Sequence, residues 1–188
     1  MSEGPARTPV WDGVVRVLHW SLVLSLALAT LTTLGWGNDL HQAAGYAALA
    51  VVVLRLLWPL LGGVRAKNAR FRAFVKAPRA TLAYLRLVLS HREPRHLGHN
   101  PLGGWMIVAL LSTVVALAVT GWLYTTDAFW GDETVERIHA ALAWWLLGLV
   151  ILHLTGVIYT SWRQRENLVA AMFSGAKRPP APGDVVED

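Results

Sequence analysis

The sequence of 188 residues contains no cysteine, and charged residues make up only 15% of it. Without thiols the chain can form no disulfide, no cysteine-ligated iron–sulfur cluster and no covalent c-type haem attachment. A soluble domain usually has about a quarter of its residues charged. Hydrophobic residues, by contrast, make up 54%. This balance excludes an ordinary soluble fold and favours a membrane protein.

Four apolar runs are each long enough to cross roughly 30 Å of hydrocarbon. They cover about residues 14–34, 41–61, 104–124 and 138–160. The segment Ala27–Leu28–Ala29 is similar to a signal-peptide cleavage motif, but the first run is long for a signal peptide. We therefore predict an all-α membrane protein built as a four-transmembrane-helix bundle.

The connection between the second and third spans is basic and contains Pro78, followed by the stretch ATLAYLRLVL. Apolar and arginine residues alternate in this stretch as in a short amphipathic helix on the membrane surface. A plain basic loop is the alternative. Residues 1–13 are expected to form a cytoplasmic arm, residues 14–178 the bundle domain and residues 179–188 a disordered tail.

The charges are distributed unevenly along the chain. The net charge of +5 would suit nucleic acid binding, but nearly all Lys and Arg lie in the arm, in residues 64–103 and in the tail. The other two connections hold five acidic residues and a single arginine, Arg137. By the positive-inside rule both termini are cytoplasmic. The pattern indicates a multi-pass membrane protein with membrane lipid around it and no nucleic-acid partner; in a bacterial source the membrane would be the inner membrane.

Four of the seven histidines lie in or at the ends of the spans, where an ionisable residue is a functional candidate. His139 and His153 are 14 residues apart, so they lie on nearly one helix face and roughly 21 Å apart along the axis. The topology places His41 at the depth of His139 and His19 at the depth of His153. The remaining histidines are solvated by default; they are His91, His96 and His99.

The two depth-matched pairs suggest two bis-histidine sites. Imidazole suits Zn, Cu, Fe and Ni, but a structural zinc site usually closes with four protein ligands. Two imidazoles alone are what a six-coordinate b-type haem needs, because the porphyrin supplies the other four nitrogens. We therefore expect two haems b that carry electrons and leave no open iron position. Interfacial histidines without a function, or a histidine-based metal or proton transporter, are the alternatives.

Two arginines are candidates for contact with haem propionates. Arg55 lies 14 residues after His41, hence on nearly the same face but at the depth of the other pair, and a charge inside a span usually has a partner. Arg16 lies one turn before His19. Alternatively, the side chain of Arg16 extends toward the cytoplasmic interface and contacts no propionate.

These residues resemble the bacterial cytochrome b561 family, the hydrogenase- and formate-dehydrogenase-type di-haem cytochrome b membrane proteins. The matching motifs are VWDGVVRVLHW, the H-x-x-x-G start of the second span, the Arg55-x-x-Trp58 ending, PRATLAYLR, GHNPLGGW, the His139/His153 spacing and RENLVAAMFSGAKR. The resemblance implies a four-helix bundle with axial ligand pairs His19/His153 on the cytoplasmic-side haem and His41/His139 on the periplasmic-side haem.

The resemblance also implies electron exchange with a quinone beside the cytoplasmic-side haem. The corresponding residues are His99, which could exchange a proton, and Asn100, which could donate to a quinone carbonyl, together with Gly103. The alternative is a Pro/Gly turn that starts the third span.

The function expected from these residues is electron transfer between ubiquinone or menaquinone and a periplasmic partner such as a c-type cytochrome. A superoxide:quinone oxidoreductase and a cytochrome b anchor subunit of a larger dehydrogenase are alternatives. The sequence leaves open whether the chain is an enzyme with quinone oxidoreductase activity and whether it forms a homodimer.

Overall fold

The structure is a computed structural model that describes residues 7–35, 38–62 and 75–186. The predicted basic connection therefore lies partly outside the described residues, from 63 to 74. The elements in chain order are β1 (Thr8–Pro9), α1 (Gly13–Thr32), α2 (Asn38–Leu61), α3 (Pro78–Leu89), α4 (Pro101–Tyr124), α5 (Glu133–Arg163), α6 (Leu168–Ser174) and β2 (Ala176–Lys177).

The four predicted spans are confirmed as α1, α2, α4 and α5, which are long and apolar enough to cross a membrane. All four begin earlier than their predicted apolar runs, and polar residues cap the starts of α4 and α5. The Oδ1 of Asn100 accepts from the N–H of Gly103 at 2.7 Å. The Oδ1 of Asp132 accepts from the N–H groups of Thr134 and Val135 at 2.8 and 3.0 Å. Such caps satisfy N–H groups that have no partner within the helix.

One compact unit consists of Val17–Leu57 and Ala109–Ile151, and it contains residues of all four membrane helices. Its buried centre is formed by Ala48 and Val52 of α2, Val114 of α4 and Leu146 of α5. Leu22 and Leu26 of α1 pack against this centre. Small side chains such as Ala48 allow membrane helices to approach closely. This packing confirms the all-α four-helix bundle.

A second compact unit consists of Met1–Arg16, Trp58–Val108 and Leu152–Asp188. In it β1 pairs antiparallel with β2, and the N–H groups of Val10 and Trp11 donate to the carbonyl of Gly175 at 2.8 and 3.0 Å. The described part of the predicted loosely ordered arm is therefore fixed to the C-terminal segment. The amphipathic surface helix is confirmed as α3, with Tyr84 buried and Leu82 and Leu89 exposed.

The C-terminal segment differs from the disordered tail predicted for residues 179–188. Arg95 is only 8% exposed and donates to Glu166 at 2.8 Å and to Asp184 at 2.5 Å. The N–H of Val185 donates to the carbonyl of Arg95 at 2.8 Å. A buried guanidinium requires anionic partners, and the tail supplies one of them. Residues up to 186 are therefore in contact with the segment around Arg95, and residues 187–188 lie outside the described residues.

Candidate functional site

His41 and His139 lie together in the first unit, as their matched depth predicts. His41 is in the first turn of α2 and His139 is in the second turn of α5. Their ring centroids are 6.1 Å apart, and the ring planes are inclined at 71°. Both side chains are partly buried. The structure thus brings together two imidazoles from two different membrane helices.

The hydrogen bonds of His41 fix its tautomer. Its Nδ1 lies 2.9 Å from the carbonyl oxygen of Ala29, which can only accept. The Oγ1 of Thr32 lies 3.2 Å from the same nitrogen and donates its own proton to Ala29 at 2.7 Å. Nδ1 therefore carries the hydrogen, and Nε2 keeps the lone pair that a metal requires.

The Nδ1 of His139, on α5, is likewise hydrogen-bonded to an oxygen of a neighbouring helix, α4. Its Nδ1 lies 2.9 Å from the Oγ1 of Thr120, and that hydroxyl donates to the carbonyl of Ala116 at 2.9 Å. The threonine oxygen therefore accepts from Nδ1–H, which leaves Nε2 with its lone pair. A Cβ added at Gly121 would lie 3.2 Å from the Cε1 of His139, so the ring packs directly against the backbone of α4.

The geometry of the pair fits axial ligation of one iron. Two imidazoles bound on opposite sides of a metal through bonds of about 2.0 Å place their ring centres about 6 Å apart. The observed separation is 6.1 Å. Rotation about the shared axis changes the angle between the planes and leaves this distance unaffected. In both residues the second nitrogen is held by a protein oxygen, as is usual for histidine ligands of metals.

Residues 7–35, 38–62 and 75–186 contain no group of three His, Asp or Glu side chains placed to hold a metal ion. A site closed by four protein ligands, as structural zinc requires, is therefore absent from the described part of the chain. The donor set suits an ion that brings most of its ligands with it, as haem iron does.

The other predicted ligand pair is divided between the two units. His19 lies on α1 in the first unit, where its ring meets that of Trp20 edge to face at 5.2 Å. His153 lies on α5 in the second unit and is partly buried. Arg55 is a partly buried residue of α2. The assignment of His19, His153 and Arg55 to a second haem stays a prediction.

Apart from Arg55, which lies in the first unit, the residues predicted to contact propionates or quinone lie in the second unit. A guanidinium nitrogen of Arg16 donates to the carbonyl of Phe173. The ring of His99 packs against Trp11 with centroids 4.4 Å apart. Asn100 caps α4, and a Cβ at Gly103 would lie 3.3 Å from its Oδ1. The turn that starts the third span is thus present, and the roles in cofactor or quinone binding stay predictions.

Sequence reasoning missed the residues that orient the two histidines. They are Ala29, Thr32, Thr120 and Gly121. The two threonines had a detectable signal: each is a hydroxyl residue near the end of an apolar span, at the depth of the histidine it contacts. The backbone carbonyl of Ala29 gives no such signal, because every residue has a carbonyl group.

The fold and the histidine pair define a membrane-embedded helical bundle of the haem-binding, electron-transfer class. Residues 10–175 match the family described as prokaryotic cytochrome b561, and the chain belongs to this family. It is a bacterial b-type cytochrome that spans the membrane, binds haem b and transfers electrons.

Two curated relatives have the same description, "Probable Ni/Fe-hydrogenase B-type cytochrome subunit". The protein from Rhizobium leguminosarum bv. viciae is 22% identical over 210 residues, which cover 89% of this chain and 87% of the relative. The protein from Cupriavidus necator is 23% identical over 214 residues, which cover 89% of this chain and 86% of the relative. The likeness therefore extends over nearly the whole of each protein.

Proposed function

We propose that the protein is a di-haem cytochrome of the bacterial inner membrane that transfers electrons between the quinone pool and a redox partner on the periplasmic side. The observation that carries this proposal is the His41/His139 pair, with its centroid separation of 6.1 Å and two Nε2 atoms available for iron. The bound haem supplies one-electron redox chemistry at a six-coordinate iron.

The chain's own residues hold and orient the cofactor at this site. His41 and His139 would hold the haem iron. Ala29 and Thr32 orient the first ring, and Thr120 orients the second. A hydrogen bond from Nδ1–H to an oxygen increases the basicity of the ligating nitrogen, which stabilises the oxidised iron.

The second haem is assigned to His19 and His153, with Arg55 and Arg16 as candidate partners of its propionates. His139 and His153 belong to one continuous helix, α5. That helix would supply one ligand to each haem and so link the two sites along the electron-transfer path. Both termini are assigned to the cytoplasm on the basis of the Lys and Arg distribution.

The quinone site is assigned to His99, Asn100 and Gly103. The Oδ1 of Asn100 is occupied by the helix cap, so its amide hydrogens remain to donate to a quinone carbonyl. His99, packed against Trp11, is the candidate for proton exchange. The quinone is ubiquinone or menaquinone.

The connection between α4 and α5 is the candidate docking surface for the periplasmic partner. It holds Asp127 and Asp132, and the start of α5 adds Glu133 and Glu136 against Arg137. Acidic side chains attract a basic partner such as a c-type cytochrome, mainly by raising the rate of association. Reduction rates should then fall steeply as ionic strength rises. Rates that do not respond to salt would reject this docking surface.

The test of the proposed function is the cofactor content of the purified chain. A pyridine haemochrome assay should give about two haems b per polypeptide, and a reduced quinol analogue should reduce them. A colourless protein would reject the cytochrome and leave the transporter alternative. One haem per chain would reject the di-haem assignment.

A second candidate is a cytochrome subunit of a larger redox enzyme, favoured by the printed description of both relatives. The haem and quinone sites would be the same, and the electron donor would be a bound catalytic subunit. Purification in mild detergent separates the two candidates: a stoichiometric redox enzyme retained on the chain supports the subunit, and a chain purified alone but active with soluble partners supports the first proposal.

A further inference from the structure

A groove of about 490 Å³ lies between the end of α5 and the start of α6. Its apolar walls are formed by Val157, Ile158, Trp162 and Val169, and its polar part by Ser161, Arg165, Glu166 and Asn167. The size and the combination of apolar walls with a few polar groups are typical of a site for a small ligand. None of these residues has a role in the proposed haem or quinone sites.

The backbone of Arg165 is in the left-handed conformation, which is unfavourable for a residue that has a side chain. Its φ angle is 49°. Its N–H donates to the carbonyl of Trp162 at 3.3 Å, and the N–H of Glu166 donates to the carbonyl of Ser161 at 3.0 Å. A helix end of this kind normally has glycine in the left-handed position, and α6 ends on Gly175 with φ 82°. A residue with a side chain is strained in this conformation, and such strain is concentrated at functional sites.

The polar end of the groove is electropositive. In the described ranges of the chain, the exposed guanidinium of Arg165 has no hydrogen-bond or ion-pair partner. The charge of Glu166 is compensated, because its Oε2 accepts from Arg95 at 2.8 Å and its Oε1 accepts from the N–H of Arg178 at 2.6 Å. The Oδ1 of Asn167 accepts from the N–H of Ala170 at 2.8 Å, so its amide hydrogens are directed elsewhere. These donors suit a phosphate group.

An apolar stripe on α5 leads to this end of the groove. Leu154, Ile158 and Trp162 follow one another at intervals of four residues, so they share one helix face. Their exposed fractions are 53%, 69% and 73%. Arg165 lies three residues beyond Trp162, just past the end of α5, and lines the same groove. Tryptophan is enriched where the hydrocarbon meets the headgroup region, which places Arg165 at headgroup level.

We propose that this groove binds one anionic phospholipid. Its phosphate contacts Arg165 and Asn167, and an acyl chain lies along Leu154, Ile158 and Trp162. A quinone would fit the apolar walls but has no charge to offer the guanidinium. The groove is thus a structural lipid site, independent of the haem and quinone assignments.

The test uses the haem-loaded full chain in detergent, supplied with either phosphatidylglycerol or phosphatidylcholine. Retained lipid is counted by native mass spectrometry. The wild type should retain phosphatidylglycerol in preference. Arg165→Gln should lower that retention about fivefold, since a basic residue at an anionic membrane surface contributes on that scale, and should leave phosphatidylcholine unchanged. Arg86→Gln, which alters an exposed arginine of α3, is the matched control and should keep the preference.

A second variant uses the backbone strain. Arg165→Gly should raise the thermal unfolding midpoint of lipid-depleted protein, because glycine tolerates the left-handed conformation, and should still lose the preference for phosphatidylglycerol. The haem absorbance spectrum verifies that each variant is folded. Equal retention by Arg165→Gln and wild type, equal losses in Arg165→Gln and Arg86→Gln, or a quinone retained in place of lipid would each overturn the proposal.

Discussion

Thr120 accepts a hydrogen bond from the Nδ1 of His139 at 2.9 Å, across the contact between α4 and α5. The next residue, Gly121, brings its backbone so close to the ring that an added Cβ would lie 3.2 Å from Cε1. Two consecutive residues of α4 thus determine the rotation of a ligand carried by α5. The candidate haem site depends on α4 as well as on the helices that bear its histidines.

Thr120→Val tests the orienting hydrogen bond. Valine keeps the shape of threonine but cannot accept from Nδ1–H, and loss of such an outer partner typically costs about 10- to 100-fold in affinity for the metal group. We expect fewer haems per chain and a higher midpoint potential for the remaining haem at this site. Thr113→Val is the matched control, because Thr113 is a buried threonine of the same helix whose hydroxyl donates to the carbonyl of Ala109. Equal changes in both variants would contradict the role of Thr120.

Gly121→Ala tests the close approach of the ring to α4. A methyl group at 3.2 Å from Cε1 is tighter than normal van der Waals contact, so the imidazole of His139 must move. We expect a reduced haem content and a changed electron paramagnetic resonance spectrum of the oxidised haem. Gly148→Ala on α5 is the control, since a Cβ there meets no atom within 4 Å. An unaltered spectrum in Gly121→Ala would show that the ring is not fixed by this contact.

His41→Ala tests the assignment of ligands to haems. The variant should lose the haem held with His139 and largely retain the other, whereas His153→Ala should do the reverse. Redox titration of the absorbance of each variant should show one remaining transition, at a different potential in the two cases. His91→Asn is the control, because His91 is exposed with φ 56° and asparagine tolerates that conformation. Retention of both haems in His41→Ala would refute the assignment.

The helices and the His41/His139 pair could be predicted from the sequence because both follow from local signals. Apolar runs of membrane length define the spans, and the charge of the connections orients them, so the depth of each histidine is known. The matched depth predicts that His41 lies near His139, and in the structure their ring centroids are 6.1 Å apart; their role as haem ligands stays a prediction. The pairing of His19 with His153 rests on the same reasoning and stays a prediction.

The contacts of the C-terminal segment could not be predicted, since they join residues far apart in sequence. The two anionic partners of Arg95 are Glu166, 71 residues later, and Asp184, 89 residues later. An aspartate such as Asp184, near the end of a segment with Pro and Gly, normally indicates a solvated tail. Only the three-dimensional structure shows that it pairs with the buried guanidinium of Arg95. The pairing of β1 with β2 has the same origin, because strands of two residues have no periodicity to detect.

Lys177 gives a prediction about pH. The side chain is only 5% exposed, and burial lowers its pKa from 10.5 to about 8. Between these pH values the unfolded chain binds a proton that the folded chain has released, so the free energy of unfolding rises with pH. This difference in the pKa of Lys177 corresponds to roughly 3 kcal/mol of unfolding free energy at most. Burial and the charge of Glu93 raise the pKa of Tyr84 to about 12, which acts in the opposite direction but only above about pH 10.

The window from about pH 8 to 9.5 therefore isolates the lysine. The wild-type protein in detergent should have a higher thermal unfolding midpoint at pH 9.5 than at pH 7.5, measured by far-ultraviolet circular dichroism. Lys177→Met removes the buried ammonium, so it should raise the midpoint at pH 7.5 and abolish most of the rise with pH. Lys76→Met changes a lysine of the same unit and should keep the wild-type dependence. A wild-type unfolding midpoint that is lower at pH 9.5 than at pH 7.5 would show that burial does not destabilise the charged form of Lys177.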